Sequence, residues 1–170
     1  MRRIFAFALL LMAATPAMAD CPVDKIEAAL ASSTEGLRRL ERDVTDVQST
    51  EGGLWEIFRE PDGRVHTIIR GDYGESGRNE LRLSIVNRRT YGIASTRVDY
   101  LRHAFIEEAG PNGVARRTTT YYFYCDGKQY LPPDGYSMLD AETYRKEGQE
   151  AQATMILDKD VADFTKGLIR

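Results

Sequence analysis

Arg117-Thr118-Thr119-Thr120-Tyr121-Tyr122-Phe123-Tyr124-Cys125, followed by Asp126-Gly127 and Lys128 to Leu131, decides the fold of this chain. Three threonines and four aromatics in nine residues read as a β-strand. Asp126-Gly127 reads as the two-residue turn of a hairpin into Lys128 to Leu131. Alternation sets Tyr121, Phe123 and Cys125 on one face and Tyr122 and Tyr124 on the other. So apolar a strand is expected at or near the centre of its sheet.

Upstream, the turn Gly110-Pro111-Asn112-Gly113 precedes this strand. Tyr91 to Ile106 is β-prone throughout, as two strands or as one bent around Ser95 to Asp99. Glu80 to Asn87 alternates, with Leu81, Leu83 and Ile85 on one face. Gly71 to Asn79 reads as a polar, glycine-rich loop. Arg64 to Arg70 and Leu54 to Glu60 read as two strands joined at Pro61-Asp62-Gly63. Short connections between successive strands predict an antiparallel meander of five to seven strands.

Helices are expected at both ends. Val23, Ile26, Leu30, Leu37, Leu40, Val44 and Val47 fall on one helical stripe, with Pro22 suited to the first helical position. Downstream, Pro132-Pro133-Asp134-Gly135 ends the sheet and Asp140 caps a last helix. Tyr144, Ala151, Leu157, Val161, Phe164 and Leu168 share a face if that helix continues through Asp158, a point the sequence leaves open. The predicted architecture is α+β, a meander with a long N-terminal helix and a C-terminal helix covering one face.

Met1 to Ala19 carries the pattern of a secretory signal peptide. Arg2 and Arg3 form a basic start, Ile4 to Met12 an apolar run, and Ala17-Met18-Ala19 a cleavage site. Cleavage after Ala19 leaves residues 20–170 as a single domain in a periplasmic or secreted setting. Without Arg2 and Arg3 the basic residues fall to 21 against 26 acidic ones, a net charge of −5 that gives no footprint for nucleic acid. No later stretch is long and apolar enough for a transmembrane span. Cys21 follows Asp20 rather than the cleavage point, which argues against a lipid anchor. With Cys125 it is one of only two cysteines, so an exported chain predicts a bridge between them, with two free thiols as the competing reading.

The chemistry-bearing residues do not form a recognisable set. There is no Cys-x-x-Cys, His-x-x-x-His or EF-hand loop, so neither metal nor cofactor is expected. Glu75-Ser76-Gly77 is only part of a nucleophile elbow, and His66 and His103 sit among strand residues. Glu51, Asp72, Glu75 and Glu80 are candidates to converge at one sheet end, as a carboxylate hydrolase requires. Glu51-Gly52-Gly53 marks a turn or a close backbone approach. Arginine exceeds lysine by 16 to 5 after the leader, and Arg82 and Arg102 lie among strand residues where a guanidinium suits an anionic partner. Tyr122 and Tyr124, with Trp55, either present a recognition face or pack under the second helix.

Ser49-Thr50-Glu51-Gly52-Gly53 and Tyr121 to Lys128 together resemble a group of exported bacterial proteins without assigned function. In that group a Ser-Thr-Glu-Gly-Gly step precedes a meander ending in an aromatic strand and Asp/Asn-Gly-Lys. The resemblance spans Val23 to Leu131 and implies a fold and a compartment, not an activity. Tyr124-Cys125-Asp126-Gly127 is also similar to the first strand of periplasmic inhibitors of C-type lysozyme. Those carry it near the mature N-terminus with a Ser-Gly inhibitory loop after it, whereas here it comes late and no such loop follows. The leading expectation is a non-enzymatic binding domain engaging a protein or envelope component through its sheet face or loops. Competing with it are an inhibitor or immunity-type protein of an envelope hydrolase, a small carboxylate hydrolase, and a lipid carrier. Nothing in the sequence sets the oligomeric state.

Overall fold

The computed structural model describes residues 21–46, 51–101, 113–133 and 136–168. The predicted leader, Arg102 and His103 lie outside them. Seven strands form one antiparallel sheet in strict chain order: β1 (Arg38–Asp43), β2 (Gly53–Arg59), β3 (Val65–Gly74), β4 (Gly77–Asn87), β5 (Thr90–Tyr100), β6 (Val114–Cys125) and β7 (Lys128–Tyr130). The meander is therefore present at the upper end of its expected strand count. Its last turn has both central residues left-handed, Asp126 at φ 52° and Gly127 at φ 74°, the geometry that matches strand twist in a two-residue hairpin.

The long N-terminal helix is not present. α1 is Val23–Ala31, nine residues with Ile26 and Leu30 buried. Ser32 turns extended and its hydroxyl donates to the Ala29 carbonyl, 2.7 Å, so a serine side chain closes the helix. After a turn at Gly36 the chain enters β1. Leu40 and Val44 keep a helical spacing by coincidence, because residues four apart also share a strand face. Val44 is buried, whereas Leu40 is exposed on the charged outer strand.

Nor is Gly71 to Asn79 a loop. β3 and β4 pair through it, with Gly71 opposite Glu80, Asp72 opposite Asn79 and Tyr73 opposite Arg78. Its polarity reflects a stretch of sheet without apolar cover, which composition alone does not separate from a loop. Within the described residues, Tyr91 to Tyr100 belongs to one strand, β5. β6 lies one strand from the margin rather than at the centre.

The two helical ends cover opposite faces, not one. α1 packs Ile26 and Leu30 with Ala94 and Phe123. Across the sheet, α2 (Ala141–Gln152), a π-helical turn (Ala153–Leu157) and α3 (Ala162–Thr165) bury Tyr144, Ala151, Met155 and Phe164 against Trp55, Ile68, Tyr91 and Tyr124. The strand that reads as apolar on both sides thus has a helix on both sides. Asp140 caps α2 as expected, accepting from the backbone N–H of Glu142 and Thr143 at 3.0 and 2.9 Å. Those bonds hold its carboxyl below the usual range. The helical run ends at Asp158, which is extended, so the C-terminal stripe belongs to separate pieces.

The disulfide joins Cys21 to Cys125 with Cα atoms 5.7 Å apart, tying the start of α1 to the end of β6. Gly92, on β5 beneath α1, lets that helix approach the sheet. A Cβ there would sit 2.4 Å from Ile26 Cγ2 and 2.7 Å from Leu30 Cδ1. Gly92→Ala is expected to cost about 1–3 kcal/mol by overpacking. A urea midpoint equal to wild type would show that α1 shifts freely.

Candidate functional site

The aromatic candidates are core residues. Tyr122 and Tyr124 are 1% and 0% exposed, and Trp55 is fully buried. Tyr124 stacks on Tyr91, ring centroids 4.8 Å apart, and its hydroxyl donates to the Gly148 carbonyl at 2.5 Å. Tyr122 donates to Glu147 at 2.8 Å. Burial pushes both hydroxyls well above the usual tyrosine range, helped at Tyr122 by the Glu147 carboxylate. They present no recognition face, because α2 lies on them. Arg82 is also structural: its guanidinium donates to the Ser32 carbonyl at 2.7 Å, holding the chain just after α1.

Gly52, Gly53 and Asp72 meet at one sheet end, with Glu51 next along the chain. Gly53 pairs with Asp72, and the Gly52 carbonyl accepts from Tyr73 N–H at 3.1 Å. Gly53 marks a close approach, since a Cβ would lie 2.9 Å from the Gly71 carbonyl oxygen. Glu75 sits beyond, in the β3–β4 turn. Glu80 stands opposite Gly71, so strand alternation sends its side chain to the face away from Asp72. Glu80 therefore does not pair with Asp72. Ser76 lies in the same turn, whereas His66 is eight positions before the end of β3, about 26 Å along the strand. His66 sits instead beside Thr67, Nδ1 to Oγ1 at 2.9 Å.

Sequence reasoning passes over Arg70. Its side chain is 9% exposed and contacts Asp72 at 2.9 Å, Asp46 at 3.0 Å and Asp158 at 3.5 Å. The guanidinium lies 5.3 Å from the Trp55 ring centre. Asp46, Asp158 and Asp160 bring carboxylate oxygens within 4.8 Å of one another. Arg70 touches two of them, and Asp160 accepts from Thr45 N–H at 2.8 Å, a bond that holds its carboxyl low. This cluster ties the β1–β2 connection to the segment after the π turn. No single stretch of sequence signals it, because positions 46, 70, 72 and 158 come together only through the fold.

Among the described residues, the far end of the sheet is a polar surface open to a partner. β6 is exposed from Val114 to Thr118, half-buried at Thr119 and Thr120, and tightly buried only from Tyr122. On one face Tyr73, Arg78, Val98 and Arg117 form a row across four strands, by register. On the other, Asp99 accepts from Arg97 and Arg116, each at 2.9 Å, which holds its carboxyl below the usual range. Between the β3–β4 turn and the end of β5 lies a groove of about 190 Å³, lined by Tyr73, Ser76, Arg78, Asn79, Arg97 and Asp99. The sequence signal for this surface is the contrast within β6. Val114 to Thr118 has no large apolar alternation, and Tyr121 to Cys125 does.

No family model, curated protein or solved structure matches this chain. A functional reading therefore rests on what the exposed sheet end offers chemically. It offers exposed guanidiniums, threonine hydroxyls and tyrosines, Tyr121 the most exposed of them, on a rigid scaffold. Such groups suit hydrogen bonding and charge recognition. Among the described residues no helix is long and apolar enough to cross a membrane.

Proposed function

We propose that this protein is a non-enzymatic binding domain of the exported compartment, engaging a protein partner through the far end of its sheet. The observation that carries the reading is the division of β6. One half is clamped between helices, and the other projects beyond them with arginines on both faces. A disulfide-tied sheet that projects an ordered polar surface is suited to pre-organised recognition, which limits the ordering cost of binding. An inhibitor of an envelope hydrolase is the narrower form of the same reading.

A lipid carrier and a hydrolase lack such support. A carrier needs an enclosed hollow beneath the helices; the centre of that space is filled by Trp55, Tyr91 and Tyr124, and the cavity of about 930 Å³ at its margin, lined by Ile156, Leu157 and Leu168, is half-open to solvent. A hydrolase needs its acids or Ser76 and His66 together, and the register separates Glu80 from Asp72 and His66 from Ser76.

The test is cross-linked capture from envelope extract with tagged protein. The comparison is wild type against Arg78→Glu/Arg97→Glu/Arg117→Glu. The triple variant is expected to recover the captured protein at least about fivefold less, since reversed charges at a rim weaken association. Equal recovery by both overturns the proposed surface. An enzymatic activity lost on gene deletion and restored by the purified protein overturns the non-enzymatic reading.

A further inference from the structure

The backbone groups at the margin of a sheet are a template for another strand. One margin here is protected: β1 reads Arg-Arg-Leu-Glu-Arg-Asp, five charges in six residues. Among the described residues, the opposite margin has no such protection. β7 pairs only with Phe123 to Cys125, whereas β6 begins at Val114.

Hairpin geometry fixes which groups face outward. Cys125 and Lys128 flank the two-residue turn and so form a hydrogen-bonded pair, which points the N–H and C=O of odd-numbered β6 residues away from β5. Tyr144 shows the same parity. Its hydroxyl donates to the Tyr121 carbonyl at 2.7 Å, just where β7 stops. Beyond it, Thr119 and Arg117 turn their backbone groups to the same side, and the alternation ends at the register shift opposite Asp99 and Tyr100. No described residue pairs with them there. The stretch contains no proline.

We infer that this margin of β6 binds, by strand addition, an extended segment of a partner protein carrying a carboxylate and an apolar side chain four residues apart. The inference rests on the protein-binding reading above and supplies its mode. Arg117, Thr119 and Tyr121 share one face. Arg117 is exposed and forms no ion pair with a described residue, whereas Arg116 is held by Asp99. Tyr121 is 41% exposed. An added strand that puts a carboxylate beside Arg117 has its residue four positions away beside Tyr121. Charge also argues against a second copy of this chain. Val114 to Tyr122 holds two arginines and no acid, so self-pairing gathers four guanidiniums with no carboxylate from either margin.

The probe is a fluorescein-labelled peptide, Thr-Thr-Glu-Thr-Thr-Thr-Val-Thr-Thr, titrated against the whole mature chain with its disulfide intact. Saturable binding is expected, weakened at least about tenfold by Thr119→Pro, which removes an outward N–H that β5 does not use. Arg117→Glu is expected to weaken it by a similar factor and to be rescued by the peptide with lysine in place of glutamate. The charge swap keeps the test decisive if the proline variant misfolds. No saturation up to about 1 mM overturns the inference. Binding indifferent to both variants does so as well. A dimer in sedimentation that Thr119→Pro abolishes assigns the margin to a second copy and overturns it too. In the capture experiment, a partner retained by Thr119→Pro but lost by the triple arginine variant removes the edge mode and leaves the protein-binding reading standing. A partner retained by both removes the two together.

Discussion

Replacing Cys21 and Cys125 together by alanine is expected to lower stability by about 3–4 kcal/mol. The bridge closes a loop with a sequence separation of 104. Chain entropy alone assigns a crosslink of that span nearly 5 kcal/mol, and residual denatured-state structure reduces it. The effect should also be local. α1 has nine residues, too few to hold a helix by itself, and it buries only Ile26 and Leu30. Both cysteines pack at the edge of the cluster those two residues form with Ala94 and Phe123. Without the bridge α1 is held by that small cluster, by the Arg82 contact to Ser32 and by the Tyr136–Glu27 hydrogen bond. Amide protection over Val23 to Ala31 should then fall towards zero while β3 to β5 stay protected. Urea unfolding with and without reductant measures the first effect and hydrogen exchange the second. A midpoint unmoved by reduction contradicts the assignment of the bridge as a main stabilising tie.

How far the fold is legible in the sequence depends on how local the cause is. Asp126-Gly127, Pro61-Asp62-Gly63 and Asp140 act on their own backbone, and each does in the fold what its chemistry says. The cysteine pair is legible because two thiols in an oxidising setting leave one pairing. Leu40 and Val44 mislead because a spacing of four suits a helix and a strand alike, and the stripe outweighs the breakers Ser32 and Gly36. Tyr122 and Tyr124 do lie on a shared face, yet alternation does not say what covers that face. The β3–β4 hairpin reads as a loop because its side chains have no core to fill. That same polarity is what makes the far end of the sheet available for recognition, so the misreading and the candidate site have one origin. The Arg70 cluster joins three distant segments, at Asp46, at Arg70 to Asp72 and at Asp158, and leaves no periodic trace.

Arg70→Met is expected to cost about 3 kcal/mol or more, although methionine fills much of the same volume. Burial opposes the charge of Arg70, and its contacts to Asp72 and then Asp46 outweigh that, so the guanidinium is held more firmly charged than an exposed one. Removing it leaves Asp158 and the half-buried Asp72 with their counter-charge gone. Breaking a buried pair from one side typically costs about 3–5 kcal/mol, because the remaining charge stays desolvated. Asp46 is more than half exposed and water can take over its solvation, which puts the cost at the lower end. Stranded charge and lost packing also differ in how they respond to a second substitution. If the cost is stranded charge, Asp72→Asn should partly rescue Arg70→Met, and the double variant should be more stable than the two single costs predict, by about 1 kcal/mol or more. Urea midpoints of wild type, the two single variants and the double variant close that cycle. Strict additivity would mean that the guanidinium stabilises by its contact with Trp55 and its bulk alone, and that the three carboxylates it touches need no counter-charge from it.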